Sequence, residues 1–193
     1  MKVLKTSTEE FDDEIIHEAI NVLARGGIVL YPTDTVYGLG ANIFNNKAVR
    51  RIFEIKKRSL LKPLSILVRD VENIHLVSKI SLKQKQYIMD YLPGPYTFIL
   101  KKQKIIPRVI TSGSSYVGVR VPDSKLACCL AGIFPITTTS ANISDDEVLT
   151  NPSEILEQLN CKVDLVIDVG DLDSNKPSSI IDLTGFKPKI VRK

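Results

Sequence analysis

The sequence has no tryptophan, only two histidines and only three cysteines among its 193 residues. Cys128 and Cys129 are adjacent and Cys161 stands alone, so there is no C-x-x-C pair to predict a zinc site or a redox dithiol. Serine, cysteine and zinc hydrolases usually need a positioned histidine, and neither His17 nor His75 lies in such a motif. These scarcities argue against those hydrolases, and we interpret the cysteines as small buried apolar residues.

The sequence also lacks an apolar run close to the roughly 20 residues that a membrane helix requires, and its N-terminus has no apolar segment of the signal-peptide type. Hydrophobic residues make up 44% and charged residues 25%, which are ordinary values for a globular protein. We therefore expect a cytoplasmic protein with no membrane contact. Its length predicts a single domain over residues 1–193, with the core at about 13–193.

Helical and strand-like patterns alternate along the chain. Ser7 and Glu10, at capping-box spacing, predict the start of a first helix, whose apolar stripe lies over 15–23. A second helix is predicted with its stripe over 49–55 and Asn46 as its cap. Further helices are predicted at 81–91, 124–131 and 152–159, and strands at 28–31, 64–68, 97–101, 116–121, 135–139, 165–169, 179–183 and 189–192. This mixture predicts a single α/β domain with a twisted mixed β-sheet and surrounding helices.

The net charge of +4 is unevenly distributed. Residues 47–58 contain six cations and one anion, which leaves the remainder of the chain slightly acidic. A second basic cluster comprises Lys101, Lys102, Lys104 and Arg108. Such clusters favour a phosphate-bearing or nucleic-acid ligand, although a solvated helix face explains Lys47, Arg50 and Arg51 equally well.

Two short polar segments have the character of a binding site. Residues 137–142 read TTTSAN at the end of a predicted strand, where open α/β sheets place their ligands. If the backbone is extended, Lys56 and Arg58 point to one side, and so do Ser140 and Asn142. Two converging cations with no acid nearby favour an anion, because arginine offers a planar fork and lysine a mobile charge.

A third segment, PTDTVYGLG at 32–40, places hydroxyl groups and glycines directly after a strand. It lacks both the ending of a P-loop and the spacing of a dinucleotide fingerprint. Along the chain it is followed by KKR at 56–58, PL at 63–64, PGPYT at 93–97, VGVRVP at 117–122, TTSANIS at 138–144 and SSIIDL at 178–183. With these motifs in this order, the chain resembles the YrdC-like family of threonylcarbamoyl-AMP synthases over residues 15–192.

The resemblance implies a YrdC-like fold with a large basic concave cavity. It implies the synthesis of threonylcarbamoyl-adenylate from L-threonine, bicarbonate and ATP, with release of pyrophosphate, for the threonylcarbamoyladenosine modification of tRNA. A separate threonylcarbamoyl transferase, of the KEOPS type in archaea and eukaryotes, would receive the product. Mg²⁺ would enter with ATP, held by phosphates and water without a protein ligand, and direct contact with tRNA or another RNA stays open.

The resemblance also assigns residues to the site. The positions that match threonine-binding positions of the family are Thr35, Arg120, Ser140 and Ser178. The positions that match ATP-binding positions are Arg58, Lys62, Tyr116, Asn142, Thr150 and Arg192. Lys56 and Arg58 are the candidate catalytic residues, because displacement at a phosphate needs positioned reactants and neutralised charge more than a covalent nucleophile.

The sequence departs from the family pattern at two loop positions and leaves two alternatives open. Lys57 and Asp145 stand where the family often has glycine, and we expect the side chain of Lys57 to point outward. One alternative is a YrdC-like paralogue that forms a carbamoyl-adenylate without threonine specificity. The other is an RNA-binding module, although RNA-binding surfaces typically combine exposed aromatic with basic residues and aromatics are only 6% here.

Overall fold

The computed structural model describes residues 1–193 as an α/β fold of eleven strands and six helices. The strands are β1 (Lys2–Lys5), β2 (Val29–Tyr31), β3 (Gly38–Gly40), β4 (Ser65–Leu67), β5 (Ser78–Lys79), β6 (Tyr96–Lys102), β7 (Tyr116–Arg120), β8 (Ile136–Thr138), β9 (Leu165–Asp168), β10 (Ser179–Asp182) and β11 (Lys189–Arg192). The helices are α1 (Asp13–Ala24), α2 (Asn46–Ile55), α3 (Ile74–Val77), α4 (Leu82–Met89), α5 (Lys125–Leu130) and α6 (Pro152–Leu159). None of these helices has the length and apolar character that crossing a membrane would require.

The strands form two mixed sheets, where the sequence predicted one. The smaller sheet has the order β1-β9-β2-β3, with β1 and β2 parallel to β9 and β3 antiparallel to β2. The larger sheet has the order β11-β10-β6-β7-β4-β8, and β5 pairs with the end of β6. We expected the core to begin at about residue 13. The structure also places residues 2–5 in a sheet, because β1 pairs with β9.

The two sheets meet where β3 passes the end of β8. An isolated bridge joins Gly38 to Ser140. The hydroxyl of Thr137, which is fully buried, accepts from Ala41 N at 3.0 Å and donates to Leu39 O at 3.1 Å. The first residue of the TTTSAN segment, Thr137, therefore joins the two sheets through its hydrogen bonds.

The side-chain alternation of the larger sheet gives it one core face. Phe98 in β6, Val119 in β7 and Ile66 in β4 are neighbours in register, and all three are fully buried. They belong to a core of 31 buried apolar residues that also includes residues of α2 and α6. Since successive strand residues point to opposite faces, their neighbours along each strand lie on the other face.

The beginnings of two helices differ from the prediction. Helix α1 begins at Asp13, because the hydroxyl of Ser7 accepts from Glu10 N at 2.9 Å and closes a local turn ahead of the helix. Helix α2 is capped by Asn45, whose side chain accepts from Ala48 N at 3.0 Å, one residue earlier than predicted. The elements that the sequence did not predict are β1, β3, β5 and α3; each has at most four residues, too few for a periodic pattern.

Candidate active site

The second face of the larger sheet is the floor of a cavity of about 550 Å³. Ile99, Gly118, Ser65 and Thr138 are neighbours in register across β6, β7, β4 and β8, and all four line this cavity. A Cβ atom at Gly118 would lie 2.6 Å from Ser65 Oγ, closer than the two atoms can approach unless one moves. Small residues along this row therefore keep the floor open, where larger ones would fill it.

Four cations line the cavity, and no lining residue is acidic. Arg58 and Lys62 come from the loop after α2, Arg120 from the end of β7 and Arg192 from β11. Burial lowers the pKa of each arginine; Arg192 further lowers the pKa of Arg58, and Arg120 that of Arg192. Enclosed positive groups that repel one another favour an anionic ligand.

Most of the predicted site residues border this cavity, and four do not. The lining residues are Arg58, Lys62, Tyr116, Arg120, Ser140, Ser178 and Arg192. The residues away from the lining are Lys56, Asn142, Thr35 and Thr150. Thr35 is buried and borders a separate cavity of about 510 Å³, and Thr150 is half-buried just ahead of α6. The prediction missed four other lining residues: Ser65, Thr97, Gly118 and Thr138. The one sequence signal that could have placed them on the cavity face of the sheet is the alternation of side chains along each strand.

The K-x-R segment is not extended, contrary to the prediction. Helix α2 ends in a Schellman motif, in which Lys57 N donates to Glu54 O at 3.0 Å and Arg58 N donates to Phe53 O at 2.8 Å. Lys57 has a φ of 47°, a left-handed conformation that glycine adopts with the least strain, and its side chain is exposed. This turn separates the two cations: Lys56 is buried in the interior and Arg58 lines the cavity.

Lys56 is 1% exposed and lies behind the cavity wall. Its ammonium donates to Ser140 O at 2.5 Å, to Asn142 O at 2.6 Å and to Asn142 Oδ1 at 3.0 Å. Burial, with a smaller contribution from Arg58, lowers the pKa of Lys56 to about 7. Because its three donors are matched by three protein oxygens, we infer a positioning role for Lys56, and the catalytic role expected from the sequence stays a prediction.

Ser140 and Asn142 lie on the same side, as predicted, but they face each other and Lys56. The hydroxyl of Ser140 donates to Asn142 Oδ1 at 2.7 Å, and Asn142 Nδ2 donates to Asp146 O at 2.8 Å. Both polar atoms of the buried Asn142 amide therefore have protein partners. Asn142 holds Ser140 at the cavity wall and does not itself border the cavity.

Arg120 is paired with a carboxylate from the PTDT loop. Its Nη2 lies 2.5 Å from Asp34 Oδ1, and the two side chains are only 5% and 11% exposed. Arg120 Nε and Asp34 Oδ2 are buried with no protein partner. A buried charge pair with unmet hydrogen-bonding groups beside a cavity is suited to a polar ligand. Local sequence patterns could not have found this pair, because its members are 86 residues apart.

Backbone carbonyl groups fix the two other arginines at the cavity. Arg58 donates from Nε to Lys62 O at 3.1 Å and from Nη2 to Pro63 O at 2.9 Å. Arg192 donates from Nε and Nη2 to Ser178 O at 3.1 and 2.6 Å. Each guanidinium thus retains an Nη1 with no protein partner, so it can be held in place and still offer a donor to an anion.

Comparisons with known proteins agree with the fold and the motifs. The Sua5/YciO/YrdC family, described as "Telomere recombination", matches residues 21–193. A Methanocaldococcus jannaschii protein, provisionally named a threonylcarbamoyl-AMP synthase, is 42% identical over 93% of this chain and 85% of its own length. The threonylcarbamoyl-AMP synthase of Pyrococcus abyssi is 35% identical over 100% of this chain, which spans 57% of that relative.

Two solved structures have the same fold over the whole chain. Pyrococcus abyssi Sua5 in complex with L-threonine superimposes with a TM-score of 0.93 at 34% identity, covering 57% of that protein. Escherichia coli YciO superimposes with a TM-score of 0.89 at 30% identity, covering 94% of that protein. The extent of the family match, together with these relatives, shows that the chain belongs to the Sua5/YciO/YrdC family.

Proposed function

We propose that this protein synthesises threonylcarbamoyl-adenylate from L-threonine, bicarbonate and ATP, with release of pyrophosphate. The proposal rests on a cavity that is lined by four cations and no acidic residue, in a chain whose fold matches that of Sua5 in complex with L-threonine. Triphosphate, bicarbonate and the amino-acid carboxylate are all anionic, so a cavity of this charge suits each substrate.

The threonine end of the proposed site lies near the PTDT loop. A free carboxylate is well matched by a guanidinium, and Arg120, held by Asp34, is the arginine that this loop positions. Ser140 and Ser178 offer hydroxyl groups from the cavity wall. Thr35 acts through Thr33, which lines the cavity and whose hydroxyl lies 3.0 Å from the hydroxyl of Thr35.

The ATP end of the proposed site comprises Arg58, Lys62 and Arg192, which offer donors to phosphate oxygens. Tyr116 is 43% exposed at the edge of the cavity, so its ring is accessible for stacking by a base. Mg²⁺ enters with ATP in this proposal. The lining offers hydroxyl groups and no carboxylate, which suits an ion held by phosphates and water.

The reaction needs little covalent chemistry from the protein. The amine of threonine condenses with bicarbonate to give a carbamate and water. A carbamate oxygen then attacks the α-phosphorus, and the bond from that phosphorus to the pyrophosphate oxygen breaks. The cations neutralise charge on the phosphates while the walls hold the reactants in line. Lys56 and Asn142 contribute by fixing the position of Ser140.

The proposed protein and RNA partners are inferred from the use of the product in tRNA modification. A mixed anhydride that is used for tRNA modification must reach a threonylcarbamoyl transferase, of the KEOPS type if the source is archaeal or eukaryotic, and we place both steps in the cytoplasm. The exposed basic residues of α2, such as Arg50, are available for a secondary contact with tRNA.

Incubation with ATP, L-threonine, bicarbonate and Mg²⁺ tests the proposal. We expect pyrophosphate release that depends on threonine, and threonylcarbamoyl-adenylate in the mass spectrum. Arg58→Ala should reduce turnover by at least about tenfold, the loss of a charge-assisted contact, while Arg50→Ala on the exposed face of α2 is the matched control. Pyrophosphate release that is unchanged without threonine would favour a paralogue without threonine specificity, and no release at all would contradict the synthase.

A further inference from the structure

An ion pair spans the edge of the cavity between two loops. Lys62 Nζ lies 2.7 Å from Asp145 Oδ2. Lys62 lines the cavity on the loop after α2, and Asp145 lies on the loop that follows Asn142. The side chains are 50% and 78% exposed, so this pair is solvated and can separate at small cost.

The backbone that carries Asp145 is held from both sides. Ser144 N donates to Lys56 O at 2.8 Å, and Asn142 Nδ2 donates to Asp146 O at 2.8 Å. Asp145 itself has a φ of 74°, a left-handed conformation that few residues other than glycine adopt. The side chains of the ion pair can therefore exchange partners while the backbone of Asp145 stays in place.

Asp145 is a negative charge beside a cavity that suits anions. The hydrogen bond from Lys62 lowers the pKa of Asp145, and the charges of Lys62, Arg58 and Lys56 lower it further. A phosphate that approaches Lys62 competes for the ammonium with this carboxylate, which is its one protein partner. Once bound, the phosphate would also lie near a like charge, which weakens its binding.

We propose that Asp145 limits the affinity of the cavity for polyphosphate by competing for Lys62. The inference rests on the proposed function, in which ATP enters this cavity and pyrophosphate leaves it. Lys62 leaves Asp145 when a polyphosphate binds and returns to Asp145 when the polyphosphate departs. The carboxylate thus favours product release at the expense of nucleotide affinity.

Isothermal titration calorimetry with inorganic pyrophosphate, and separately with ATP, tests the proposal on the full chain. We expect Asp145→Asn to bind each ligand about three- to tenfold more tightly at low salt. The reason is that the substitution removes both the competition for Lys62 and the repulsion between the carboxylate and the phosphates. The gain should shrink at about 0.5 M salt, because exposed charges are screened. Asp146→Asn is the matched control, since it removes the same charge from a neighbouring carboxylate that has no polar partner.

A second comparison isolates the role of Lys62. In a Lys62→Met background, Asp145→Asn should gain much less affinity than in the wild type, because no ammonium remains to be released. Equal pyrophosphate binding by wild type and Asp145→Asn, an equal gain from Asp146→Asn, or an undiminished gain without Lys62 would each overturn the inference. If synthase turnover is intact in that case, the proposed function stands; if wild type binds neither ligand, both fail.

Discussion

Replacing Lys56 with methionine tests whether the buried ammonium is a positioning group. Methionine has a similar length and no charge, so the change leaves Ser140 O and Asn142 O without a donor, while Asn142 Oδ1 keeps the hydroxyl of Ser140. A buried polar group that loses its partner costs about 1–3 kcal/mol. For the two carbonyl oxygens left without a partner, we expect the free energy of unfolding at pH 9 to fall by about 2 kcal/mol or more.

The same variant should show a characteristic dependence on pH. Burial lowers the pKa of Lys56 from its ordinary 10.5 to about 7 in the folded protein. Between these values the unfolded chain binds more protons than the folded one, so the contribution of Lys56 to stability increases as the pH rises. One pKa unit corresponds to about 1.4 kcal/mol, so the stability difference between wild type and Lys56→Met should grow by about 2 kcal/mol from pH 7 to pH 9.

Urea unfolding of both proteins at pH 7, 8 and 9 and constant ionic strength measures this difference. Lys57→Met, which removes the adjacent and exposed lysine, is the control and should show no comparable change. A difference that stays constant with pH would refute the reasoning, because it would mean that the three oxygens hold the ammonium charged against the effect of burial. Pyrophosphate binding weakened as much as by Arg58→Ala would contradict the positioning role.

Three further changes test other parts of the structure. Lys57→Gly should raise the free energy of unfolding by about 1 kcal/mol, because it removes side-chain strain at a φ of 47°; urea denaturation measures this, and an equal gain from Lys57→Ala would contradict the backbone explanation. Asp34→Asn should lower the free energy of unfolding by about 3–5 kcal/mol, since it leaves the buried Arg120 unpaired. In the turnover assay it should raise the KM for threonine more than the KM for ATP. An unchanged melting temperature would contradict a stabilising ion pair. Gly118→Ala should lower the free energy of unfolding by about 1–3 kcal/mol, because the added Cβ would lie 2.6 Å from Ser65 Oγ. Combining it with Ser65→Ala should restore most of the lost thermal stability. No recovery in the double variant would mean that the clash lies elsewhere.

The sequence by itself determined the α/β class, the family and seven of the 23 residues that line the cavity. Arg58, Arg120, Ser178 and Arg192 were predicted by number and all border the cavity. Strand alternation and short motifs are local properties, so they can be recognised without knowledge of the neighbours in space. The five helices of six or more residues and eight of the strands followed for the same reason, whereas β1, β3, β5 and α3 were missed.

The tertiary structure decided how these residues divide between the cavity and its support. Lys56 and Arg58 separate because Lys57 adopts a left-handed turn, and a lysine in the sequence gives no signal for positive φ. Asn142 turns toward Lys56, and Asp34 reaches Arg120, through contacts between residues more than 80 positions apart. Such contacts depend on how strands pair and how loops close on one another, which no local pattern contains, so the supporting half of the site became visible only in the folded chain.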